Sequence, residues 1–378
     1  MDHELIQRYS RQLNLPDFDL AHQKKLAEAK VLVVGAGGLG SPLILYLAAA
    51  GIGKIGIIDF DKVELHNLHR QILYTQEDVG KYKVEVAAEK VQAINPNIEC
   101  KAYQTSLSTS NVEELFSEYD LIADGTDNFP TRYLINDACV KFQKTNVFGS
   151  VQRYEGQVAV FNYRNEDGSF TANYRDLFPI PPLENSIPNC AEAGVFGPVV
   201  GMIACIQAQE IIRIASGMES KLIGKILSID LEDHQMRPFK LKLRDDHHYR
   251  NERRNEIILQ DYENICKLPI DATLELNSNQ LIEKLQSQQA FKVIDIREKH
   301  EYAAFNIGSE NIPLAQFVAS LPEMDSSIGY IIHCQSGKRS RALLDSIIGK
   351  HQELNIYHLE GGLNQWVEEQ GEEAKISE

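Results

Sequence analysis

Lys30-Val31-Leu32-Val33-Val34-Gly35-Ala36-Gly37-Gly38-Leu39-Gly40 is the stretch that decides the fold. Its valine and leucine run predicts a buried strand. The glycines at 35, 37, 38 and 40 then let the chain turn tightly into an apolar helical stretch, Leu39 to Ala50. A helix N-terminus beside a glycine turn offers unpaired N–H groups and a positive dipole to an anion. Asp59 closes the next apolar run about twenty residues further on, where a carboxylate can bond ribose hydroxyls. Outward from this core, Lys83 to Ile94 reads as an amphipathic helix and Leu121 to Asp124 as a strand. Such alternation predicts βαβ units on a parallel sheet.

After Val147 the pattern changes. Val147 to Arg153 and Gln157 to Tyr163 flank Glu155-Gly156 like the arms of a hairpin, so the sheet is expected to be mixed. Asn165 to Cys190 holds Pro179, Pro181, Pro182 and Pro188 and predicts a long loop. Val199 to Ala215 predicts a largely buried helix, and Ile226 to Leu231 a strand. The fold class is α/β: a Rossmann-like mixed sheet with helices on both faces, followed by a smaller α/β domain. In the latter, Phe291 to Asp295 and Gly329 to His333 are expected as buried strands, and Ser340 to Ile348 and Gly362 to Glu369 as helices. The charged, irregular stretch between them is the expected linker, giving domains at 1–245 and 271–378 joined by 246–270.

A chain of 378 residues suits two domains, and its 43% hydrophobic and 24% charged composition suits two packed cores. A net charge of −16 opposes phosphate backbones, so no nucleic-acid partner is expected. No membrane span is expected either, because the apolar runs Val31 to Val34 and Leu43 to Ala50 are short. Met1-Asp2-His3-Glu4 carries acid where a targeting peptide carries base, which predicts a cytoplasmic protein. The six cysteines, at 100, 139, 190, 205, 266 and 334, are scattered without a disulfide-type spacing.

By itself the glycine turn fits an NAD enzyme as well as an ATP enzyme. Asn67, Arg70, Gln71 and Lys83 favour ATP, because a triphosphate being cleaved needs a cationic cluster that a neutral nicotinamide does not. Asp127 stands after a strand end, where it could hold Mg²⁺ on phosphate oxygens; equally, Asp127-Asn128 could simply cap the helix from Phe129.

Arg8-Tyr9-Ser10-Arg11-Gln12, the glycine loop, Asp59-Phe60-Asp61, Asn67-Leu68-His69-Arg70-Gln71, Lys83-Val84-Glu85 and Asp127-Asn128 together resemble the ThiF/MoeB/HesA branch of the ubiquitin-activating superfamily, from about residue 4 to 243. The resemblance implies ATP over Gly35, Gly37, Gly38 and Gly40, with Asp59 on the ribose and Asn67, Arg70 and Lys83 on the phosphates. Asp127 and Asn128 would complete the nucleotide site, with Asp127 positioning Mg²⁺. It also implies a homodimer in which Arg11 reaches the other subunit's ATP, and a ubiquitin-like sulfur carrier whose Gly-Gly tail enters beside Asp127 and is adenylated there. Cys190 matches a cysteine that is covalent in some members and dispensable in others, so catalysis and inert placement both stay open. Many members bind structural zinc through two Cys-x-x-Cys pairs. Here Asn173-Tyr174-Arg175-Asp176 and Arg244-Asp245-Asp246-His247-His248 stand instead. Asn173, Asp176, His247 and His248 make a poor zinc set, and zinc is not expected.

In the second half, His333-Cys334-Gln335-Ser336-Gly337-Lys338-Arg339-Ser340 lies between a strand and a helix. Backbone N–H groups, the helix dipole, Lys338 and Arg339 would converge on the Cys334 sulfur and favour an anionic species. A phosphatase loop would need arginine at position 340, where Ser340 stands. The loop resembles single-domain rhodaneses, with further similarity in Val293-Ile294-Asp295-Ile296-Arg297, Asn306-Ile307-Gly308 and Leu359-Glu360-Gly361-Gly362. That resemblance implies a persulfide on Cys334 cradled by Gln335, Ser336, Gly337, Lys338 and Arg339. Asp295 and Arg297 are expected to pair and hold the loop, and Asn306 stands where many rhodaneses have histidine.

Joined, the two resemblances imply ATP-dependent adenylation of a sulfur carrier followed by sulfur transfer from Cys334, recharged by a cysteine desulfurase or another sulfur donor. A MoaD-like carrier serving molybdopterin is preferred, with a ThiS-like carrier of thiamine synthesis next. The alternatives are an NAD-dependent oxidoreductase and a non-catalytic sulfur-carrier scaffold.

Overall fold

Val31, Leu32, Val33 and Val34 are all buried, because strand β1 (Lys30–Val34) runs through the middle of an eight-stranded sheet. The computed structural model describes residues 3–179, 181–182, 194–244, 249–260, 262, 274–286, 290–347, 354–371 and 375, with the backbone alone at 338, 342, 345 and 346. These sort into two units, Met1–Pro181 with Pro188–Ile265, and a second built on Cys266–Glu378.

The first sheet contains β2 (Lys54–Ile58), β3 (Glu99–Tyr103), β4 (Leu121–Asp124), β5 (Thr145–Gln152), β6 (Glu155–Phe161), β7 (Lys225–Asp230) and β8 (Gln235–Lys240) besides β1. Their order is β3-β2-β1-β4-β5-β6-β7-β8. Neighbours from β3 to β5 pair in parallel, and those from β5 to β8 antiparallel. The chain builds outward from β1 through β2 to β3, then returns to place β4 on the other side. Ligands of open α/β sheets bind in the crevice that such a reversal leaves at the strands' C-terminal ends. Val34 lies opposite both Ile58 and Asp124, so Gly35, Asp59 and Gly125 emerge side by side there.

Alternation along the strands divides the core into two layers. Val31, Val33, Ile55, Ile57 and Ala123 face helices Gly40–Ala50, Lys83–Ile94 and Gly197–Ser216. Leu32, Val34, Ile58, Ile122 and Phe148 face Val112–Glu118 and Phe129–Lys141. Helix Gly197–Ser216 is long and apolar enough to cross a membrane by length and composition. In this fold it places Val200, Ile203, Ala204, Ala208 and Ile211 in the core.

Three local expectations are corrected. The hairpin turn is at Arg153-Tyr154, since Gln152 pairs with Glu155 and Arg153 takes a positive φ of 55°. Gly156 sits inside β6, where an added Cβ would come within 2.3 Å of Ile203 Cδ1, so it is required by a close helix rather than by a turn. Second, β3 and β8 were not anticipated. Third, the expected linker is in its described part an arm of the first unit. Asn251–Glu256 forms a 3₁₀ turn, Ile257 and Tyr262 are buried, and Lys141 donates to the Ile257 carbonyl at 2.6 Å.

The second unit contains β9 (Glu275–Leu276), β10 (Phe291–Asp295), β11 (Glu310–Asn311), β12 (Gly329–His333) and β13 (Asn355–Leu359). They form a five-stranded parallel sheet ordered β11-β10-β12-β13-β9. Phe317, Leu343 and Leu344 cover one face; Leu281, Leu363 and Trp366 cover the other. Cys334 follows the C-terminal end of β12.

Candidate active sites

Gly35 starts the glycine loop at a φ of +90°, a conformation side chains rarely take. The turn is so tight that a Cβ on Gly40 would lie 2.0 Å from the Gly35 carbonyl oxygen. Asp59 fixes the loop from the neighbouring strand: its carboxylate accepts the Ala36 N–H at 2.8 Å and the Asp61 N–H at 2.8 Å. Tyr74 donates to the Ala36 carbonyl at 2.7 Å. Burial pushes the Asp59 carboxyl above the ordinary value, against the opposing pull of Lys83 and the two N–H bonds.

The cationic cluster comes from the excursion after β2. A Cβ on Gly38 would lie 3.8 Å from Cγ and Cδ of Arg70, so the Arg70 stem runs beside the glycine loop. Its guanidinium contacts the His66 carbonyl at 3.1 Å and His69 Nε2 at 2.8 Å. Burial, and then the nearby Arg70 charge, lower the His69 pKa. Lys83 is buried and ion-paired to Asp61 at 2.8 Å. Asn67 is buried and accepts the Glu64 N–H at 3.1 Å, closing its own turn. Gln71 is buried near Gly37, and its Oε1 has no partner among the described residues.

Asp127 is exposed just beyond β4. Asn128 does act as a cap: its side chain accepts the Thr131 N–H at 2.9 Å at the start of helix Phe129–Lys141. Arg11 is exposed on the short helix Ser10–Leu13. Its neighbours anchor that helix, Tyr9 accepting from Asn95 at 2.8 Å and Gln12 donating to the Ala50 carbonyl at 3.2 Å. Cys190 lies outside the described residues, as do His247 and His248.

The contacts that support this strand end were not foreseen. Asp124 is fully buried and accepts from the Thr126 N–H at 3.0 Å and hydroxyl at 2.6 Å, while Arg132 Nε stands 3.9 Å from its other oxygen. Burial raises the Asp124 pKa. Gln207, from the apolar helix, donates to the carbonyls of Asp124 at 2.8 Å and Val147 at 2.7 Å. A glutamine inside an apolar helix was the available signal, since a buried amide must find partners.

In the second unit Cys334 is buried, 1% exposed, within a loop braced on several sides. Ser340 Oγ lies 3.8 Å from its sulfur and donates to the Gly337 carbonyl at 3.0 Å. Arg297 forks onto the buried Asp295, closest contact 2.7 Å, and donates to Gln335 Oε1 at 2.7 Å. Gln335 donates in turn to Asn364 at 2.6 Å. The Cys334 carbonyl accepts the Leu363 N–H at 2.9 Å, beyond Gly361 and Gly362, which have φ of 65° and 58°. The expected field from Arg339 needs correction: its guanidinium makes a bidentate pair with Glu301 at 2.9 and 2.6 Å. That pair holds the Glu301 carboxyl down to about 2. Ser336 is exposed, and the side chain of Lys338 lies outside the described residues. Asn306 accepts the Gly308 N–H at 3.1 Å, as a turn residue does.

Family models match almost the whole chain: ThiF family over residues 9–250 and Rhodanese-like domain over 278–369. A relative from Mycobacterium tuberculosis, "Probable adenylyltransferase/sulfurtransferase MoeZ", is 38% identical over 98% of this chain and 94% of its own length. A "Sulfur carrier protein adenylyltransferase" from Thermus thermophilus is 42% identical over 70% of this chain and 98% of its own. "Adenylyltransferase and sulfurtransferase MOCS3" of Danio rerio is 36% identical over 97% and 86%. Among solved structures, E. coli MccB with ATP superimposes with a TM-score of 0.55 at 23% identity, covering 64% of this chain and 74% of that one, a likeness of fold.

Proposed function

Because the chain belongs to the ThiF family and carries a rhodanese-like domain behind it, we propose that it adenylates the C-terminal glycine carboxylate of a ubiquitin-like sulfur carrier and converts it to a thiocarboxylate. It is an enzyme with adenylyltransferase and sulfurtransferase activity. The carrying observation is that one relative named for both activities aligns along 98% of the chain. The proposed division of labour assigns adenylation to 1–245 and the persulfide to 271–378.

The glycine loop, backed by Asp59, receives ATP. Arg70 and Lys83 offset the charge that gathers on the departing pyrophosphate. Asp127 is the carboxylate that would hold Mg²⁺, an ion usually bound by one or two protein carboxylates and substrate phosphates; when bound it would neutralise phosphate charge. The carrier's carboxylate oxygen attacks the α-phosphorus, the bond to the β-phosphate oxygen breaks, and pyrophosphate leaves an acyl adenylate. The outer sulfur of a Cys334 persulfide then attacks the acyl carbon and AMP departs with the bonding pair, forming an acyl disulfide. A second thiolate, from Cys190 or an external thiol, attacks the Cys334 sulfur, releasing the thiocarboxylate and leaving a disulfide that a reductant reopens. A cysteine desulfurase or small persulfide donor recharges Cys334. The active form is a homodimer in which Arg11 serves the other subunit's nucleotide. A MoaD-like carrier is the first candidate and a ThiS-like carrier the second.

ATP–pyrophosphate exchange with purified carriers ending in Gly-Gly tests this directly. Exchange is expected with one carrier and lost, at least a hundredfold, in Arg70→Ala and Asp127→Ala. Failure to exchange with every carrier, together with tight NAD binding, would overturn the proposal in favour of an oxidoreductase.

A further inference from the structure

Asn173 and Asp176 stand where many members of this family carry one of the cysteine pairs of a zinc site, and both side chains are already committed. Asn173 Oδ1 accepts from the Arg175 N–H at 2.9 Å and from Asn136 at 3.3 Å, and its amide donates to the Tyr249 carbonyl at 2.8 Å. Asp176 accepts the Asn173 N–H at 2.8 Å through one oxygen and the Arg244 N–H at 2.6 Å through the other. Both are buried. Their oxygens face N–H donors, an environment that repels a cation, and neither residue supplies the sulfur or imidazole that zinc prefers. These two residues do not fit the metal.

Between these two residues lies an ion pair. Arg175 forks onto Asp137 of helix Phe129–Lys141, with Nε–Oδ1 and Nη2–Oδ2 both 2.7 Å, and side-chain exposures of 5% and 0%. The third nitrogen donates to the Pro179 carbonyl at 3.0 Å. The ring of Tyr249 stacks 3.6 Å from the guanidinium carbon, and Tyr133 covers it at 4.8 Å. Tyr262 donates its hydroxyl to Asp137. Three segments distant in sequence therefore converge on one charge pair: the helix that begins after Asp127-Asn128, the turn 173–179, and the arm through its Tyr249 and Tyr262.

We propose that this Asp137–Arg175 clamp, closed by Tyr249 and Tyr262, is a metal-free fastener that holds the described parts of the arm, Arg244, 249–260 and Tyr262, against the rest of the first unit. A bidentate, aromatic-covered arginine suits such a clamp, because its planar fork fixes direction as well as distance, and a buried pair that loses one member leaves an uncompensated charge. Asn173 and Asp176 secure the arm's backbone at Tyr249 and Arg244, at its proximal end, while Tyr262 secures the distal end. The fastener is independent of the adenylation proposal, since nothing in it requires a nucleotide or a carrier.

The experiment uses the purified full chain. Elemental analysis is expected to find zinc well below one per chain, and neither EDTA nor added Zn²⁺ should move the calorimetric melting midpoint of the first unit. Arg175→Lys keeps the charge but loses the fork, and is expected to lower that midpoint by roughly 10 °C. Tyr262→Phe, a milder change for use if the first variant fails to fold, should lower it by about 3 °C. In both, tryptic cleavage after Arg250, Arg253 or Arg254 should accelerate about tenfold as the arm opens more often. Stoichiometric zinc whose removal lowers the midpoint would overturn the proposal. So would parental cleavage rates and midpoints in folded forms of both variants.

Discussion

The glycine loop of the first unit and the Cys334 loop of the second both leave a buried parallel strand and enter a helix through glycine, yet they are stiffened by different means. In the first, side chains from elsewhere hold the loop's backbone: Gly35 and Gly40 nearly touch, and Asp59 and Tyr74 hold the N–H and carbonyl of Ala36. In the second, the loop's own Gln335 side chain reaches out, to Arg297 on one side and Asn364 on the other. Cys334 is only 1% exposed; if it carries the proposed persulfide, the outer sulfur stands about 2 Å, one S–S bond length, from its Sγ.

If the two loops perform separate steps, Cys334→Ala should abolish thiocarboxylate formation, read by mass spectrometry of the carrier, while pyrophosphate exchange stays within about twofold. Loss of both together would dissolve the distinction. Next in size, Arg297→Ala leaves Asp295 buried without its partner and should destabilise the second unit by roughly 3–5 kcal/mol. The chain's one tryptophan, Trp366, is buried in that unit, so its fluorescence in a denaturant titration follows that unit selectively. Exchange by the first unit should survive in the same preparation.

The two loops should also differ in acid. Burial pushes His333, beside Cys334, down to about 4. Unfolded histidine titrates near 6.5, so on acidification the unfolded chain takes up a proton before the folded one does. The stability from neutral His333 is therefore fully present above pH 6.5 and falls as the pH drops toward 4, by roughly 3 kcal/mol in total. Trp366 fluorescence titrations across that window should show the slope, and His333→Gln should reduce it, leaving the share of His358, whose pKa burial also lowers. The smallest effect belongs to Asn128→Ala, which removes a helix cap worth about 1 kcal/mol. Calorimetry should register that loss, and a rise in the KM for ATP of more than a few fold would give Asn128 a second role at the nucleotide.

The glycine loop, its strand, and the loop around Cys334 were legible because each is a local pattern of glycine beside a buried run. The strands β3 and β8 were not, since they are edge strands with mainly exposed or half-exposed residues and lack the alternation that burial on one face imposes. Gly156 misled because a glycine needed for turning and one needed for close packing are the same letter. At the sites, the place of Asp59 beside the glycine loop could be read from spacing. Gln207 could not be tied to Asp124, 83 residues away, nor could Glu301 be seen to neutralise Arg339 across 38. Contacts between segments leave no trace in either segment's own periodicity.

The amide of Leu363 and both the amide and side chain of Asn364 hold the sulfur loop, and both residues belong to helix Gly362–Gln370. A protease nick near residue 360 would therefore disarm sulfur delivery while sparing carboxylate activation, turning the protein into one that consumes ATP on its carrier and hands on nothing.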